Sequence, residues 1–228
     1  MIRFDKVGMR YGQGDEVLSD ISFDLAPGSF HFLTGNSGAG KSSLLRLIYL
    51  AQQPSRGLIH IMDEPMNAAS RDTRVQMRRR IGVVFQNYRL LDHLTTFENV
   101  ALPLRIKGAT EEQVKREVRE LLEWVGLANH MHSLPSTLSG GQKQRASIAR
   151  AVINTPRILL ADEPTGNVDS EMAERLMQLF MELNRIGTTM VIATHDPRWV
   201  GQYPAPQLHL EAGRMRMIPA AEKAPAIP

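Results

Sequence analysis

A glycine-rich segment with one lysine is the clearest chemical feature of the chain. Residues 35–42 read Gly-Asn-Ser-Gly-Ala-Gly-Lys-Ser and match the pattern G-x-x-x-x-G-K-[ST]. Glycines let backbone N–H groups turn towards phosphate oxygens, and a helix that starts there adds the positive end of its dipole. The strand predicted before it and the helix after it count against an accidental glycine turn. The predicted phosphate contacts are Gly35, Asn36, Ser37, Gly38, Ala39, Gly40, Lys41, Ser42 and Ser43.

Two residues of this segment have specific predicted tasks. Lys41 places a mobile ammonium at the β- and γ-phosphates of a bound triphosphate, and the Ser42 hydroxyl is suited to ligate Mg²⁺. The hydroxyl of the next residue, Ser43, can donate to the α-phosphate, as a threonine hydroxyl could.

Two adjacent acids end a strongly apolar run further along the chain. Residues 158–163 read Ile-Leu-Leu-Ala-Asp-Glu, which predicts a buried strand that ends at Asp162 and Glu163. Because neighbouring strand residues point in opposite directions, the two carboxylates can serve two purposes. We expect Asp162 to hold Mg²⁺ through water and Glu163 to orient or deprotonate the attacking water. Alone, the pair fits a solvated strand end; with the phosphate segment upstream it indicates hydrolysis.

A third segment indicates the family. Residues 138–142 read Leu-Ser-Gly-Gly-Gln, in which two glycines permit close backbone approach and the following helix directs its N-terminus at an anion. This segment resembles the signature sequence of ABC ATPases. The resemblance implies that it contacts the γ-phosphate held by a second copy, so that a head-to-tail dimer forms around two ATP molecules. The residues concerned are Ser139, Gly140, Gly141 and Gln142.

Further single positions resemble the same family. Gln86 resembles the Q-loop glutamine near Mg²⁺ and water, Asp169 the D-loop, His195 the switch histidine at the γ-phosphate, and Tyr11 the aromatic residue that stacks on adenine. A lone tyrosine or histidine is more often structural, and we interpret the other six histidines in that way. The resemblance implies ATP and Mg²⁺ as cofactors. It predicts Lys41, Gln86, Glu163 and His195 as catalytic, and Ser42, Gln86 and Asp162 as metal ligands.

Within the family, residues 34–41 and 160–169 are most similar to the ATPases of bacterial cell division. This resemblance implies an FtsX-like integral membrane subunit, an indirect link to peptidoglycan hydrolases and the division ring, and a peripheral position on the cytoplasmic face of the inner membrane. Tyr88, Leu90 and Leu91 are candidates for the groove that docks the membrane subunit. Lys143 departs from the subfamily pattern. The ATPases of lipoprotein release and of MacB-type efflux are close relatives of this subfamily, and they are the alternative.

Alternating apolar runs and helical periods predict the elements that position these residues. Strands are expected at 2–7, 17–25, 30–34, 81–85, 158–162 and 190–194, and helices at 41–49, 114–125, 139–153 and 172–183. Such alternation indicates an α/β fold with a mostly parallel sheet. The resemblance refines this to a P-loop NTPase with a RecA-like core sheet, an N-terminal antiparallel β subdomain and an inserted α-helical subdomain.

The predicted organisation is one ATPase domain over residues 1–217, followed by a flexible tail at 218–228. The core is expected at 1–86 and 155–217, and the helical subdomain at about 87–154. The resemblance covers residues 2–217, nearly the whole chain.

Composition excludes several other classes. The chain has no cysteine, which excludes disulfides and thiolate zinc sites, and no apolar run approaches the ~20 residues of a membrane helix. A net charge of +3 is compatible with nucleotide, nucleic acid or an anionic membrane surface. The chain lacks the long coiled coil of DNA-acting relatives, the second cassette of translation-type relatives and an Asn-Lys-x-Asp guanine motif. We expect no nucleic-acid partner. A module that binds ATP without hydrolysing it is a further alternative, against which the presence of Glu163 and His195 argues.

Overall fold

The computed structural model describes residues 1–220, which fall into two compact units. Unit 1 contains residues 1–78 and 189–220, and unit 2 contains residues 79–188. The elements, in chain order, are β1 (Ile2–Arg10), β2 (Glu16–Leu25), β3 (Phe30–Thr34), α1 (Lys41–Ile48), β4 (Arg56–Ile61), β5 (Glu64–Pro65), α2 (Arg71–Arg78), β6 (Ile81–Val84), α3 (Thr96–Lys107), α4 (Glu111–Trp124), α5 (Gly140–Val152), β7 (Ile158–Asp162), α6 (Ser170–Arg185), β8 (Thr189–Ala193), α7 (Pro197–Gln202), β9 (Gln207–Glu211) and β10 (Arg214–Ile218).

An antiparallel sheet of unit 1 has the strand order β2-β1-β4-β5. Alternate residues are buried at the start of β1 and through the second half of β2, and the rings of Phe4 and Phe23 stack with their centroids 4.6 Å apart. This period of two is the pattern of a sheet that buries one face. The sheet agrees with the antiparallel β subdomain expected near the N-terminus, although β4 and β5 were not predicted.

The other strands of unit 1 carry the phosphate segment. β3 pairs in parallel with β8 on one side and with β9 on the other, and β10 pairs antiparallel with β9. Phe32, Leu33, Val191 and Ile192 on the central strands are buried, as expected for strands covered on both faces. The chain leaves β3 at Thr34, passes through the glycine-rich loop and enters α1 at Lys41.

Unit 2 contains the parallel pair β6 and β7 and the helices α3 to α6. Its apolar side chains form a buried cluster that includes Val100, Leu104, Val118, Leu122 and Ala149. Thr110 and Gln113 form a capping box at the start of α4.

Two boundaries differ from the predicted domain division. Unit 2 contains β6, β7 and α6 in addition to the helices of residues 87–154. β10 ends at Ile218, the first residue of the predicted tail, and residues 221–228 lie outside the described chain. The core, helical subdomain and tail therefore stay predictions. Among residues 1–220, none of the helices combines the length and apolar character needed to cross a membrane.

Buried His31 on β3 should make stability depend on pH. Its ring is 7% exposed, Nδ1 has no hydrogen-bond partner among the described residues, and burial lowers the pKa of the imidazole. In the unfolded chain the imidazole takes up a proton at pH ~6.5, whereas in the folded chain burial opposes this protonation. The neutral, buried His31 therefore contributes fully to the free energy of unfolding above that pH, and the contribution is lost as the pH falls below it. Thermal unfolding at pH 7.5 and 5.5 should show a smaller pH effect for His31→Leu than for the wild type. His132→Leu, at an exposed position, is the control; equal pH effects in all three proteins would contradict this.

Candidate functional site

The glycine-rich loop of unit 1 is held in a conformation that requires glycine at its ends. Gly35 has φ 137° and a Cβ there would collide with the Leu210 carbonyl, while Gly40 has φ 106° and precedes α1. L-residues with side chains rarely adopt such φ values. Between the two, Asn36, Ser37 and Gly38 are exposed. The loop therefore presents its backbone to solvent at the N-terminus of a helix, as the pattern predicts.

Lys41 folds over this loop. Its Nζ donates hydrogen bonds to the Gly35 carbonyl at 2.6 Å and to the Asn36 carbonyl at 3.1 Å. The ammonium is therefore held at the mouth of the loop, while the neighbouring Ser42 is exposed. A cation, a hydroxyl and exposed backbone at a helix N-terminus form a site suited to phosphate.

Tyr11 is tied to α1 through its hydroxyl. The Tyr11 Oη lies 3.1 Å from the Ser43 Oγ and accepts a hydrogen bond from the Arg46 guanidinium at 2.8 Å. The side chain of Ser43 is buried, whereas Tyr11 is 41% exposed. The aromatic ring is thus fixed at one end and open to solvent. Sequence reasoning missed Arg46; its position three residues after Ser43 on one helical face was the available signal.

His195 lies just beyond the end of β8 and is exposed. The next residue, Asp196, caps α7 by accepting a hydrogen bond from the Arg198 backbone N–H at 3.0 Å. Its side-chain hydrogen bond with the Arg198 guanidinium lowers the pKa of the Asp196 carboxyl. An ionised carboxylate therefore directly follows His195 in the chain.

Glu163 in unit 2 departs from the strand geometry that the sequence suggested. β7 ends at Asp162, and Glu163 has φ 51°, in the left-handed region. The interpretation that strand alternation separates the two acids is therefore wrong, because a turn at Glu163 separates them. Non-glycine residues in this conformation are costly and concentrate at functional sites. Both side chains are partly buried.

The signature residues form the start of α5, as predicted. Ser139 caps the helix: its Oγ accepts from the Gln142 N–H at 3.3 Å, and the Gln142 Oε1 accepts from the Ser139 N–H at 2.7 Å. The Gln142 Nε2 lies 2.9 Å from the His130 Nε2. Since the Gln142 amide donates its N–H here, His130 is the acceptor. His130, which the sequence alone indicates as structural, lies against the signature segment.

The remaining predicted residues of unit 2 lie in loops that follow strands. Gln86 is exposed, two residues beyond the end of β6. Asp169 caps α6 by accepting from the Met172 N–H at 2.9 Å. The Asn167 carbonyl is close to the signature, since a Cβ added to Gly141 would lie 3.0 Å from it. Within unit 2 the structure thus brings Asn167 and Val168, which precede Asp169, to the start of α5.

Comparisons with known proteins agree with this geometry. Residues 18–166 match the ABC transporter family. The chain is 42% identical over 215 residues to the cell division ATP-binding protein FtsE of Escherichia coli, covering 94% of this chain and 97% of the relative. It is 44% identical over 217 residues to FtsE of Haemophilus influenzae (95% and 100%) and 39% identical over 213 residues to FtsE of Bacillus subtilis (93% of both).

Solved structures show the same fold. The dimeric structure of the ATP-binding cassette MJ0796 in a post-hydrolysis state, bound to ADP and Pi, has a TM-score of 0.90 at 34% identity and covers 96% of this chain and 98% of its own. A second dimeric structure of MJ0796, a bacterial ABC transporter cassette, has a TM-score of 0.89 at 37% identity over the same shares.

Fold and phosphate loop together define an ATP-binding cassette of the P-loop class, and the predicted fold class is confirmed. The chain belongs to the ABC transporter family. It is an FtsE-like ABC ATPase. The roles of the individual site residues stay predictions.

Proposed function

We propose that this chain hydrolyses ATP to drive an FtsX-like integral membrane subunit in bacterial cell division. The observation that carries the proposal is the similarity to FtsE proteins, which extends over 94% of this chain at 42% identity. The relatives described above share the cell-division name, which favours this role over lipoprotein release or efflux. The position on the inner face of the membrane and the link to peptidoglycan hydrolases belong to the same proposal.

The phosphate loop supplies the nucleotide-binding half of the mechanism. Lys41, already held at the loop mouth by the Gly35 and Asn36 carbonyls, exchanges these contacts for the β- and γ-phosphates. Tyr11 offers an exposed ring, fixed through its hydroxyl, on which adenine stacks.

The predicted metal ligands have the chemistry that Mg²⁺ prefers. Ser42, Gln86 and Asp162 offer a hydroxyl, an amide carbonyl and a carboxylate, and Mg²⁺ is usually bound by one or two carboxylates, waters and substrate phosphates. The donor set therefore fits the ion. When bound, it neutralises charge on the phosphate oxygens.

Glu163 supplies the base for hydrolysis. Its carboxylate accepts a proton from the water that attacks the γ-phosphorus, and the bond from the γ-phosphorus to the bridging oxygen breaks to release ADP. His195 and Gln86 orient the γ-phosphate and the water. The left-handed backbone conformation of Glu163, directly after β7, supports this role, since such conformations concentrate at functional sites.

The signature segment supplies the second half of each ATP site in a dimer. Ser139 and the N-terminus of α5 present a hydroxyl and backbone N–H groups, a suitable site for the γ-phosphate of a second copy. Asn167 and Val168, which lie against Gly141, and the following Asp169 link the two sites.

The segment after Gln86 is our candidate for contact with the membrane subunit. Leu91 is 41% exposed, whereas Leu90 packs against the buried cluster of unit 2. Leu91 is therefore the better probe of docking, since a charge at Leu90 would also damage the core.

Capture from detergent-solubilised membranes tests both parts of the proposal. The tagged chain should retain an integral subunit with four membrane helices and a large outer domain. Leu91→Asp should lower this capture at least about tenfold, because a charge in the middle of an apolar contact costs more than ~1.4 kcal/mol. Ile186→Asp, at an apolar residue of unit 2 that is 64% exposed, is the matched control. Equal capture by Leu91→Asp and the control would reject the docking segment, and recovery of a lipoprotein-releasing subunit would reject the division role.

A further inference from the structure

The turn that follows Gln86 has an unusual backbone. Tyr88 and Arg89 are consecutive, neither is glycine, and both have positive φ, 61° and 47°. Such residues persist only where the surrounding structure holds them. The hydrogen bonds within the turn, from the Tyr88 N–H to the Phe85 carbonyl and from the Arg89 N–H to the Asn87 carbonyl, close it locally. These two hydrogen bonds lie within the turn and do not attach the turn to the rest of unit 2.

Two side chains of α5 hold this turn. The Arg150 guanidinium donates to the Tyr88 carbonyl at 2.8 Å and to the Arg89 carbonyl at 2.6 Å. The Ser147 hydroxyl donates to the same Tyr88 carbonyl at 3.1 Å. A planar guanidinium is suited to two acceptors at once, which a lysine ammonium on a flexible chain is not. Burial lowers the pKa of Arg150, as expected for a cation enclosed against backbone.

The same helix carries the signature at its other end. Ser139 caps α5, and a Cβ added to Gly140 would lie 3.3 Å from the Tyr88 hydroxyl. Tyr88 thus approaches α5 at two places: its hydroxyl lies near Gly140 at the start of the helix, and its carbonyl is bound about two to three turns later. The buried Gln144, between them, donates to the Pro164 carbonyl just after Glu163 at 2.9 Å.

We propose that Arg150 is a positioning residue that fixes residues 86–89, the Gln86 turn, to α5, the helix that begins with the signature segment. The turn and the helix then move as one body. This inference rests on the proposed function, because it takes Gln86 to act at the γ-phosphate. Arg150 itself is far along α5 from the signature and is not among the predicted ATP contacts. Its loss therefore misplaces Gln86 without removing any contact to the nucleotide.

Replacement of Arg150 should divide kcat from KM. Arg150→Met, which keeps the length of the side chain and removes the donors, should lower the kcat of ATP hydrolysis about 10- to 100-fold, the cost of a displaced catalytic group, and leave KM within about threefold. Arg150→Lys keeps one donor and should recover part of kcat. Ser147→Ala leaves the guanidinium in place and should have a smaller effect than Arg150→Met.

Arg145→Met is the matched control. Arg145 lies on the same helix and also donates to a backbone carbonyl, that of Val125 at 3.2 Å, which is remote from the Gln86 turn in sequence. The control should keep wild-type kcat. Equal losses in Arg150→Met and Arg145→Met, or full activity in Arg150→Met, would overturn the proposal. If Arg150→Met does not fold, Arg150→Lys and Ser147→Ala carry the same comparison.

A second readout does not depend on ATP hydrolysis. Because the chain has no cysteine, Asn87→Cys provides a single attachment point for a nitroxide beside Gln86. The electron paramagnetic resonance spectrum should show faster motion of this label in Arg150→Met than in Arg145→Met. If the label moves equally fast in Arg150→Met and Arg145→Met, the proposal is rejected, even when the ATPase is active. If the label moves faster in Arg150→Met but the chain without either substitution does not hydrolyse ATP, only the proposed function is rejected.

Discussion

Replacing Glu163 with glutamine is expected to lower ATP turnover at least about 100-fold while ATP binding persists, because a general base contributes about 10²–10⁴ to the rate. Glutamine keeps the size of the side chain and its ability to hydrogen-bond water, but its amide does not accept the proton. The phosphate loop lies elsewhere in the sequence and keeps its contacts. The ATP-bound dimer should then accumulate, so that the variant is dimeric with ATP and monomeric with ADP.

Steady-state phosphate release, fluorescent-nucleotide binding and light scattering measure these three properties of Glu163→Gln. Glu171→Gln is the matched control, since it makes the same change at an exposed acid of unit 2 in the first turn of α6. Its turnover should equal that of the wild type. Normal turnover in Glu163→Gln would remove the general-base assignment.

A mixture of two inactive variants should regain activity if each ATP site is shared between two copies. Lys41→Ala removes the cation of the phosphate loop. Ser139→Asp keeps an effective helix cap but places a negative charge against the γ-phosphate of the other copy. Each variant alone should lose nearly all turnover. In a mixed dimer, one pocket combines an intact Lys41 with an intact Ser139.

If the two variants pair at random in an equal mixture, about half of the dimers contain one copy of each. Each mixed dimer has one intact pocket of two, so the mixture can recover up to about a quarter of wild-type turnover. Ser139→Asn, which caps the helix without a charge, is the control and should keep substantial activity. A mixture that stays as inactive as its components would indicate that each pocket is completed within one polypeptide, and the dimer proposal would fail.

Much of the fold could be predicted because the central strands are unbroken apolar runs. The strands around Phe32, Leu160 and Ile192 follow from their composition, and the caps at Thr110 and Ser139 follow from a serine or threonine three residues before glutamine. β9 and β10 were missed although a signal existed: they are joined by two residues, Ala212 and Gly213, both with positive φ. Such a two-residue connection is typical of a hairpin.

The parts of the site that could not be predicted depend on contacts between distant residues or on backbone strain. Arg150 meets the Tyr88 carbonyl across 62 positions of sequence, and His130 meets Gln142 across 12. Nothing in the local sequence of either residue specifies its partner. The left-handed conformation of Glu163 is likewise imposed by the chain around it, since glutamate alone does not favour it. Sequence motifs were therefore sufficient to propose the residues that contact ATP, whereas the residues that hold them in place were found only in the structure.

The reciprocal cap at the start of α5 also decides which atoms of the signature can face outward. The Ser139 oxygen receives the Gln142 N–H, so one lone pair is occupied and the hydroxyl hydrogen is free to turn away from the helix. The Gln142 carbonyl oxygen is engaged by the Ser139 N–H. The segment can therefore offer a hydroxyl hydrogen outward while the amide oxygen stays engaged within the cap, a polarity that favours an approaching anion over a metal cation.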